Sequence, residues 1–178
     1  MKLEVVKYDA EILRKRALPV DEISPEIIQL AEDMIETMID SNGVGLAAPQ
    51  IGRSLRMFIL RDEKEQEDGE MVLCDPEVII NPHLSKPSEE KTSMSERCLS
   101  LPGLSVEVMR PTFIHVRYQN LKGEWIESRF DSFRARVAMH ENDHLNGVLI
   151  VDRLDRNSRK KVESQLQAIK KRYADGRS

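Results

Sequence analysis

The sequence predicts an α+β fold, and three observations carry that prediction. Helical patterns occupy 24–40, 132–146 and about 157–173, near the start, late in the chain and at its end. Between the first two lie short apolar runs punctuated by Gly, Pro, Asn and Asp, which read as strands in meander order. Strands so flanked make antiparallel or mixed sheets packed around the second helix, with one helix before them and one after.

The elements follow in order. Ser24 suits a helix N-cap and Pro25 the first helical position, while Ile27, Leu30, Met34 and Met38 recur at spacings of three and four to give one apolar face. The two methionines read as core. Residues 41–52 form a Gly-rich turn and loop whose small side chains let a backbone or ligand come close. Met57 to Leu60 is a strand, and Arg61 to Glu70 a charged surface loop. Residues 71–74 and 77–81 are strands broken by Asp75-Pro76; Pro82 is expected to end the second, and 83–95 to be a polar connection. Strands at 113–119 and 124–130 join through the turn Asn120-Leu121-Lys122-Gly123. The 132–146 helix stops at Asn146-Gly147. The last helix begins at Asn157 or Ser158 and buries Val162, Leu166 and Ile169. With no internal repeat and no second boundary, residues 1–178 read as one domain.

Apolar residues make up 40% and charged residues 33% of the 178, the balance of a soluble globular protein. No run approaches the ~20 apolar residues of a membrane span. Charge interrupts Met1-Lys2-Leu3-Glu4-Val5-Val6-Lys7 too early for a signal peptide, so a cytoplasmic address is expected. In that reducing compartment Cys74 and Cys98 read as free thiols or metal ligands rather than a disulfide. A net charge of −4 argues against bulk nucleic-acid binding, although Arg153 to Ser178 carries nine Lys or Arg against three Asp or Glu.

The strongest chemical signal is His140-Glu141-Asn142-Asp143-His144. Residues four apart on a helix share a face, so both imidazoles can reach one ion, with Glu141 beside them to take a proton from a polarised water. Two exposed histidines on a helix would be the bland alternative; the partly buried run Phe133 to Met139 that precedes them weighs against it. His83 and His115, in a loop and a strand, have nothing to recommend them as ligands. A catalytic site of this kind takes three protein ligands and keeps one position open. A further His six residues after the second is excluded, because Ile150 stands there. Glu163 lies at a workable downstream spacing but among lysines, where a solvated pair partner is the commoner role. Cys98 is the upstream candidate: a thiolate is a strong ligand and Arg97 beside it favours the ionised form, against the plain reading of a small buried residue. Cys74, in the apolar run Met71-Val72-Leu73-Cys74, takes that plain reading.

Three segments together resemble the signature motifs of the peptide deformylase family: Gly43-Val44-Gly45-Leu46-Ala47-Ala48-Pro49-Gln50, Glu96-Arg97-Cys98-Leu99-Ser100 and the His140–His144 stretch. Their order and spacing agree, and the resemblance covers almost the whole chain. It implies removal of the formyl group from the N-terminal formylmethionine of new proteins. It also implies that Cys98, His140 and His144 bind the metal. Iron(II) is the family's natural ion, with Ni, Co or Zn as substitutes; a soft sulfur and two imidazoles alone would have favoured Zn. The Gln50 amide and the Leu99 backbone N–H are implied as oxyanion donors, and Glu141 as the proton carrier. An extended substrate would pair with the Gly43-Val44-Gly45 backbone as an added strand. Val44, Met94, Phe133 and Val137 are candidates to line the methionine pocket, and Glu96 and Arg97 to contact substrate near the ligands.

The chain departs from the family motif at Arg97, where Gly normally precedes the Cys. A long cation there could narrow the mouth, pair with Glu96, reach a downstream carbonyl or point to solvent. Nascent formylmethionyl chains are the expected partners. The basic last helix, with Lys160, Lys161, Lys170, Lys171 and Arg172, reads either as a solvated face or as a ribosome-docking surface, with no membrane partner and no sequence-specific nucleic acid. The rivals are a zinc metallopeptidase using Glu163 and a non-enzymatic metal- or RNA-binding adaptor.

Overall fold

A computed structural model describes residues 1–174. In chain order the elements are α1 (Pro25–Asp40), β1 (Gly45–Ala47), β2 (Met57–Leu60), β3 (Glu63–Glu65), β4 (Met71–Leu73), β5 (Glu77–Ser85), β6 (Lys91–Arg97), β7 (Ser105–Pro111), β8 (Phe113–Gln119), β9 (Trp125–Asp131), α2 (Ser132–Leu145) and α3 (Arg156–Arg172). Short 3-10 turns at Ala48–Ile51 and Ile150–Arg153 connect them. Five strands form one antiparallel sheet in the order β1-β2-β5-β8-β9, and β3-β4 and β6-β7 are separate hairpins. No helix among the described residues is long and apolar enough to cross a membrane. The α+β class with helices at both ends stands as the sequence predicts.

The central sheet is covered on both faces, which explains why β2 reads as an unbroken apolar run. Along a strand, alternate side chains point to opposite faces. Met57 and Ile59 pack with Ile27, Leu30, Met34 and Met38 of α1, while Phe58 and Leu60 pack with Ala135, Ala138 and Met139 of α2. The α1 methionines are fully buried, as core. Ser24 caps that helix by accepting a hydrogen bond from Ile27 N–H at 3.4 Å. A third cluster joins the β6–β7 hairpin to α3 through Leu101, Leu104, Val108, Leu166 and Ile169. α3 begins at Arg156, just before the expected Asn157 or Ser158, and Asp155 caps it, accepting from Ser158 N–H at 2.8 Å.

Five expectations about loops and strands are corrected. The 41–52 loop contains strand β1 and a 3-10 turn, and the charged 61–70 loop contains β3. Pro82 does not end β5, because the register slips between Ile80 and His83. Asn81 adopts φ 50° there, and its side-chain amide bonds the Val20 N–H and carbonyl, each at 2.8 Å. That bulge gives Pro82 a place where no ladder donor is required. His83 therefore sits in a strand. Residues 83–95 are not a connection: they hold the second half of β5 and most of β6. β7, which follows, was not anticipated.

Gly147 ends α2 with φ 73°, and a Cβ there would stand 2.5 Å from the Arg14 carbonyl oxygen. A Gly147→Ala variant is expected to lose more than about 1 kcal/mol of stability, because left-handed strain and a backbone clash add. Urea denaturation should show the lowered midpoint; an unchanged midpoint would contradict the packing described.

Candidate metal centre and active cavity

Helical spacing stacks His140 and His144 one turn apart on α2, with ring centroids 5.4 Å apart. The end of β6 brings up Cys98, in a turn closed by the Leu101 N–H donating to the Cys98 carbonyl at 2.9 Å. Its Sγ lies 3.4 Å from His144 Nε2, and one ligand atom from each of the three residues lies within 4.8 Å of the others. Cys74 is also a free thiol but lies apart from this cluster.

Glu96, two residues before Cys98, fixes the ring of His140. Its Oε1 lies 2.8 Å from His140 Nδ1, so the ring donates from Nδ1 and leaves Nε2 as the nitrogen able to ligate. The carboxylate is otherwise committed: Arg110 donates to it at 2.7 and 3.0 Å and Arg136 at 2.6 Å. Arg110 also donates to Asp143 at 3.0 Å, and Arg153 donates to Asp143 at 2.6 and 3.0 Å. Glu96 therefore lines the cavity as the support of His140.

Glu141 is buried, with Oε1 3.8 Å from His140 Nε2. Its Oε2 and His144 Nδ1 are buried polar atoms with no hydrogen-bond partner among the described residues. Gly45 makes this placement workable, because a Cβ on it would stand 2.7 Å from Glu141 Oε1 and 2.9 Å from Cδ. Gly43 is under no such pressure, its nearest neighbours lying at ordinary contact distance. Gln50 is also buried; its Oε1 accepts from Ala47 N–H at 2.9 Å, and its Nε2 donates to Ser100 Oγ at 3.2 Å and Cys98 Sγ at 3.5 Å.

The electrostatics separate the carboxylates. Burial works against an ionised Glu96, but hydrogen bonds from His140 and Arg110 outweigh it and hold the group at about 2. Burial pushes Glu141, which lacks such partners, up to about 7. Burial would lower His140 too, yet its hydrogen bonds to Cys98 and Glu96 and the charge of Glu141 raise it to about 10. Burial holds His144 well below its ordinary value, so its imidazole is neutral and able to ligate. The surroundings of His140 thus favour positive charge, a condition that a divalent cation on a thiolate and two imidazoles satisfies.

A cavity of about 720 Å³ opens over this cluster. Gly43, Val44 and Gly45 line one side, at β1, and Met94 to Leu99 the other. Among the described residues β1 pairs only with β2, and β6 only with β7, so each has an edge with no strand partner there. Phe133 and Val137 of α2 also line it. Arg97 is exposed at the rim and does not pair with Glu96. Glu163 is far from this arrangement in kind: it accepts from Gln167 at 3.0 Å and pairs with Arg159 at 3.6 Å on exposed α3. His83 lies against Trp125, with ring centroids 6.2 Å apart, and His115 against Phe113 at 6.3 Å.

Sequence reasoning missed Arg110, Arg136, Asp143 and Arg153. Arg110 left one readable sign: it takes the buried phase of β7, in register with Val106 and Val108.

A His-Glu-x-x-His helix facing a cysteine, at the base of a cavity in an α+β frame, defines a metal-dependent hydrolase. The family model described as polypeptide deformylase matches residues 2–160. A peptide deformylase of Chlorobium limicola is 41% identical over 162 residues, covering 91% of this chain and 85% of that one. The crystal structure of the Thermotoga maritima peptide deformylase superposes with a TM-score of 0.78 at 40% identity, covering 87% of this chain and 99% of that one. A Met-Ala-Ser-bound class I type b peptide deformylase of Acinetobacter baumannii gives 0.80 at 37% identity, covering 86% and 99%. The chain belongs to the polypeptide deformylase family, metal-dependent hydrolases that remove the formyl group from the N-terminal formylmethionine of newly synthesised proteins.

Because Gly45 admits Glu141, Gly45→Ala is expected to displace that carboxylate while sparing Cys98, His140 and His144. Bound metal should stay near one per chain while kcat falls by about tenfold or more, in line with misplacement costs at catalytic groups. Parallel loss of metal and activity would contradict this account.

Proposed function

We propose that Cys98, His140 and His144 hold one divalent cation, that Glu141 carries the proton of the reaction, and that residues 1–178 work as one catalytic domain. The observation that carries this reading is the convergence of a thiol and two imidazoles within 4.8 Å, with a buried carboxylate 3.8 Å from the nearer ring nitrogen. When bound, the cation supplies Lewis acidity, which brings water toward ionisation near neutral pH and polarises the formyl carbonyl. The family's iron(II) is the ion proposed here; Ni, Co or Zn suit the same donors.

The chain's own groups account for the remaining chemistry. A peptide extended along Gly43-Val44-Gly45 forms backbone hydrogen bonds as an added strand. Its methionine side chain enters the apolar region of Val44, Phe133 and Val137, with Met94 at the edge. As water adds to the formyl carbon, Glu141 takes its proton and then passes it to the departing amine nitrogen, releasing formate. A carboxyl near 7 suits both halves of that transfer. Charge developing on the formyl oxygen is met by the Gln50 side-chain amide and the Leu99 backbone N–H. The Gln50 amide is aimed by the Ala47 N–H held on its oxygen.

Formate release from formyl-Met-Ala-Ser, measured beside metal content, tests the assignment. Glu141→Gln should retain the metal and lose about 10²–10⁴-fold in kcat, the range for a general acid–base group. Cys98→Ala should lose the metal. Full turnover by either variant would overturn the assignment.

We also propose a cytoplasmic enzyme that meets its substrates at the ribosome through α3, where Lys160, Lys161 and Lys171 are exposed. Truncating α3 is a poor test, because Leu166 and Ile169 belong to the core. Changing Lys160, Lys161 and Lys171 together to Glu should weaken ribosome co-sedimentation by about tenfold or more at low salt, as expected when several phosphate contacts are lost. Undiminished co-sedimentation would end the docking idea.

A further inference from the structure

Arg97 is the last residue of β6 and stands immediately before Cys98, exposed at the rim of the cavity. The other charged residues on the cavity wall, Glu96, Arg136 and Glu141, are buried. Glu96 and Arg136 bind one another at 2.6 Å, and Glu141 lies behind Gly45. Among the described residues, Arg97 is therefore the charged side chain of this wall that solvent reaches. No hydrogen bond or ion pair to another described residue holds its guanidinium. The nearest acid in the hairpin register, Glu107, stands opposite Ser95 and accepts from Ser93 Oγ at 3.1 Å. The exposed residues beside Arg97, Met94, Ser95 and Gly103, carry no charge.

We propose that Arg97 is a specificity-determining residue, giving the enzyme a preference for chains with an acidic side chain one or two residues after the formylmethionine. The inference rests on the substrate path proposed above, in which the peptide lies along Gly43-Val44-Gly45 with its formyl end at the cysteine–histidine cluster, so that the chain runs through the cavity that Met94 to Leu99 also line. A guanidinium presents a planar fork that matches a carboxylate, and an unpartnered one gives up no internal bond to do so. Its site is open to water, so the effect is modest: about three- to fivefold between acidic and basic substrates, as for exposed ion pairs. It resides in KM, because the contact is remote from the formyl carbon and is made equally in ground and transition states.

The test uses the metal-loaded enzyme and peptides amidated at the C-terminus, so that no terminal carboxylate contributes. The pairs are formyl-Met-Ala-Glu-amide against formyl-Met-Ala-Lys-amide, and formyl-Met-Glu-Ala-amide against formyl-Met-Lys-Ala-amide. In at least one pair, kcat/KM at low salt should favour the acidic member by about three- to fivefold, shrinking toward one in 1 M KCl. Arg97→Gln should abolish the ratio, Arg97→Glu should invert it, and Arg97→Lys should keep part of it. Metal content reports that each variant retains its ligands. Ratios near one for the unaltered enzyme, or a preference that survives both Arg97→Gln and Arg97→Glu, overturn the proposal. Equal turnover of all four peptides removes the charge preference alone, whereas no turnover of any removes the substrate path beneath it as well.

Discussion

Glu96 is the carboxylate around which the site is arranged, and its burial among Arg110, Arg136 and His140 constrains everything nearby. Taking an ionised carboxylate out of water costs several kcal/mol unless partners replace the lost hydration. Here they do: two guanidinium groups and one imidazole bond it at 2.6 to 3.0 Å. Those partners come from β7 and α2, so Glu96 ties the β6–β7 hairpin to the helix that carries both histidines. Arg110 extends the tie to Asp143, and Arg153 closes it from the 3-10 turn after α2. Such networks are weak evidence for net stability, since apolar packing of the same volume is often as good. What this one supplies is position. It sets which ring nitrogen of His140 faces Cys98 and fixes how far β6 stands from α2.

The same burial gives Glu141 the opposite character. Glu96 and Glu141 are almost equally inaccessible, 6% and 3% exposed, yet one sits at about 2 and the other at about 7. The difference is partners rather than burial: Glu96 is bonded by cations, whereas one oxygen of Glu141 has no hydrogen-bond partner among the described residues. Two carboxylates driven apart in this way divide the labour, one permanently charged to orient a ring, the other able to gain and lose a proton. Gly45 belongs to this division, because only a residue without Cβ lets β1 lie against Glu141.

What could be read in the sequence follows from how local each signal is. The α1 face, its Ser24 cap and the His140–His144 pair depend on spacing within one helix, and these were legible. β6 was not, because Lys91 to Ser95 are all exposed and its one buried residue is Glu96, so no apolar alternation marks it. β5 was cut short at Pro82, since a bulge stabilised by contacts from Val20 and Gln119 cannot be foreseen from its own residues. Cys98, proposed as the third ligand, lies 46 residues before His144, and spacing alone left Cys98 and Glu163 both open. The resemblance of the Cys98 segment to a known motif separated them, and the contrast between buried Cys98 and ion-paired, exposed Glu163 supplies the physical reason.

The end of β6 explains how the chain carries an arginine beside its cysteine without harm to the site. Successive strand residues point to opposite faces. Glu96 therefore turns inward to His140 while Arg97 turns outward, and Cys98 follows where the strand gives way to the turn closed by Leu101. Three consecutive residues thus serve three separate environments: a buried ion-pair network, the solvent-facing rim and the cluster of donor atoms. The middle side chain takes no part in the hydrogen bonds that hold Glu96, which come from Arg110, Arg136 and His140. The chemistry of the centre is fixed by inward-facing residues. The outward-facing one is free to vary, and in this chain it places a cation where a polypeptide would pass.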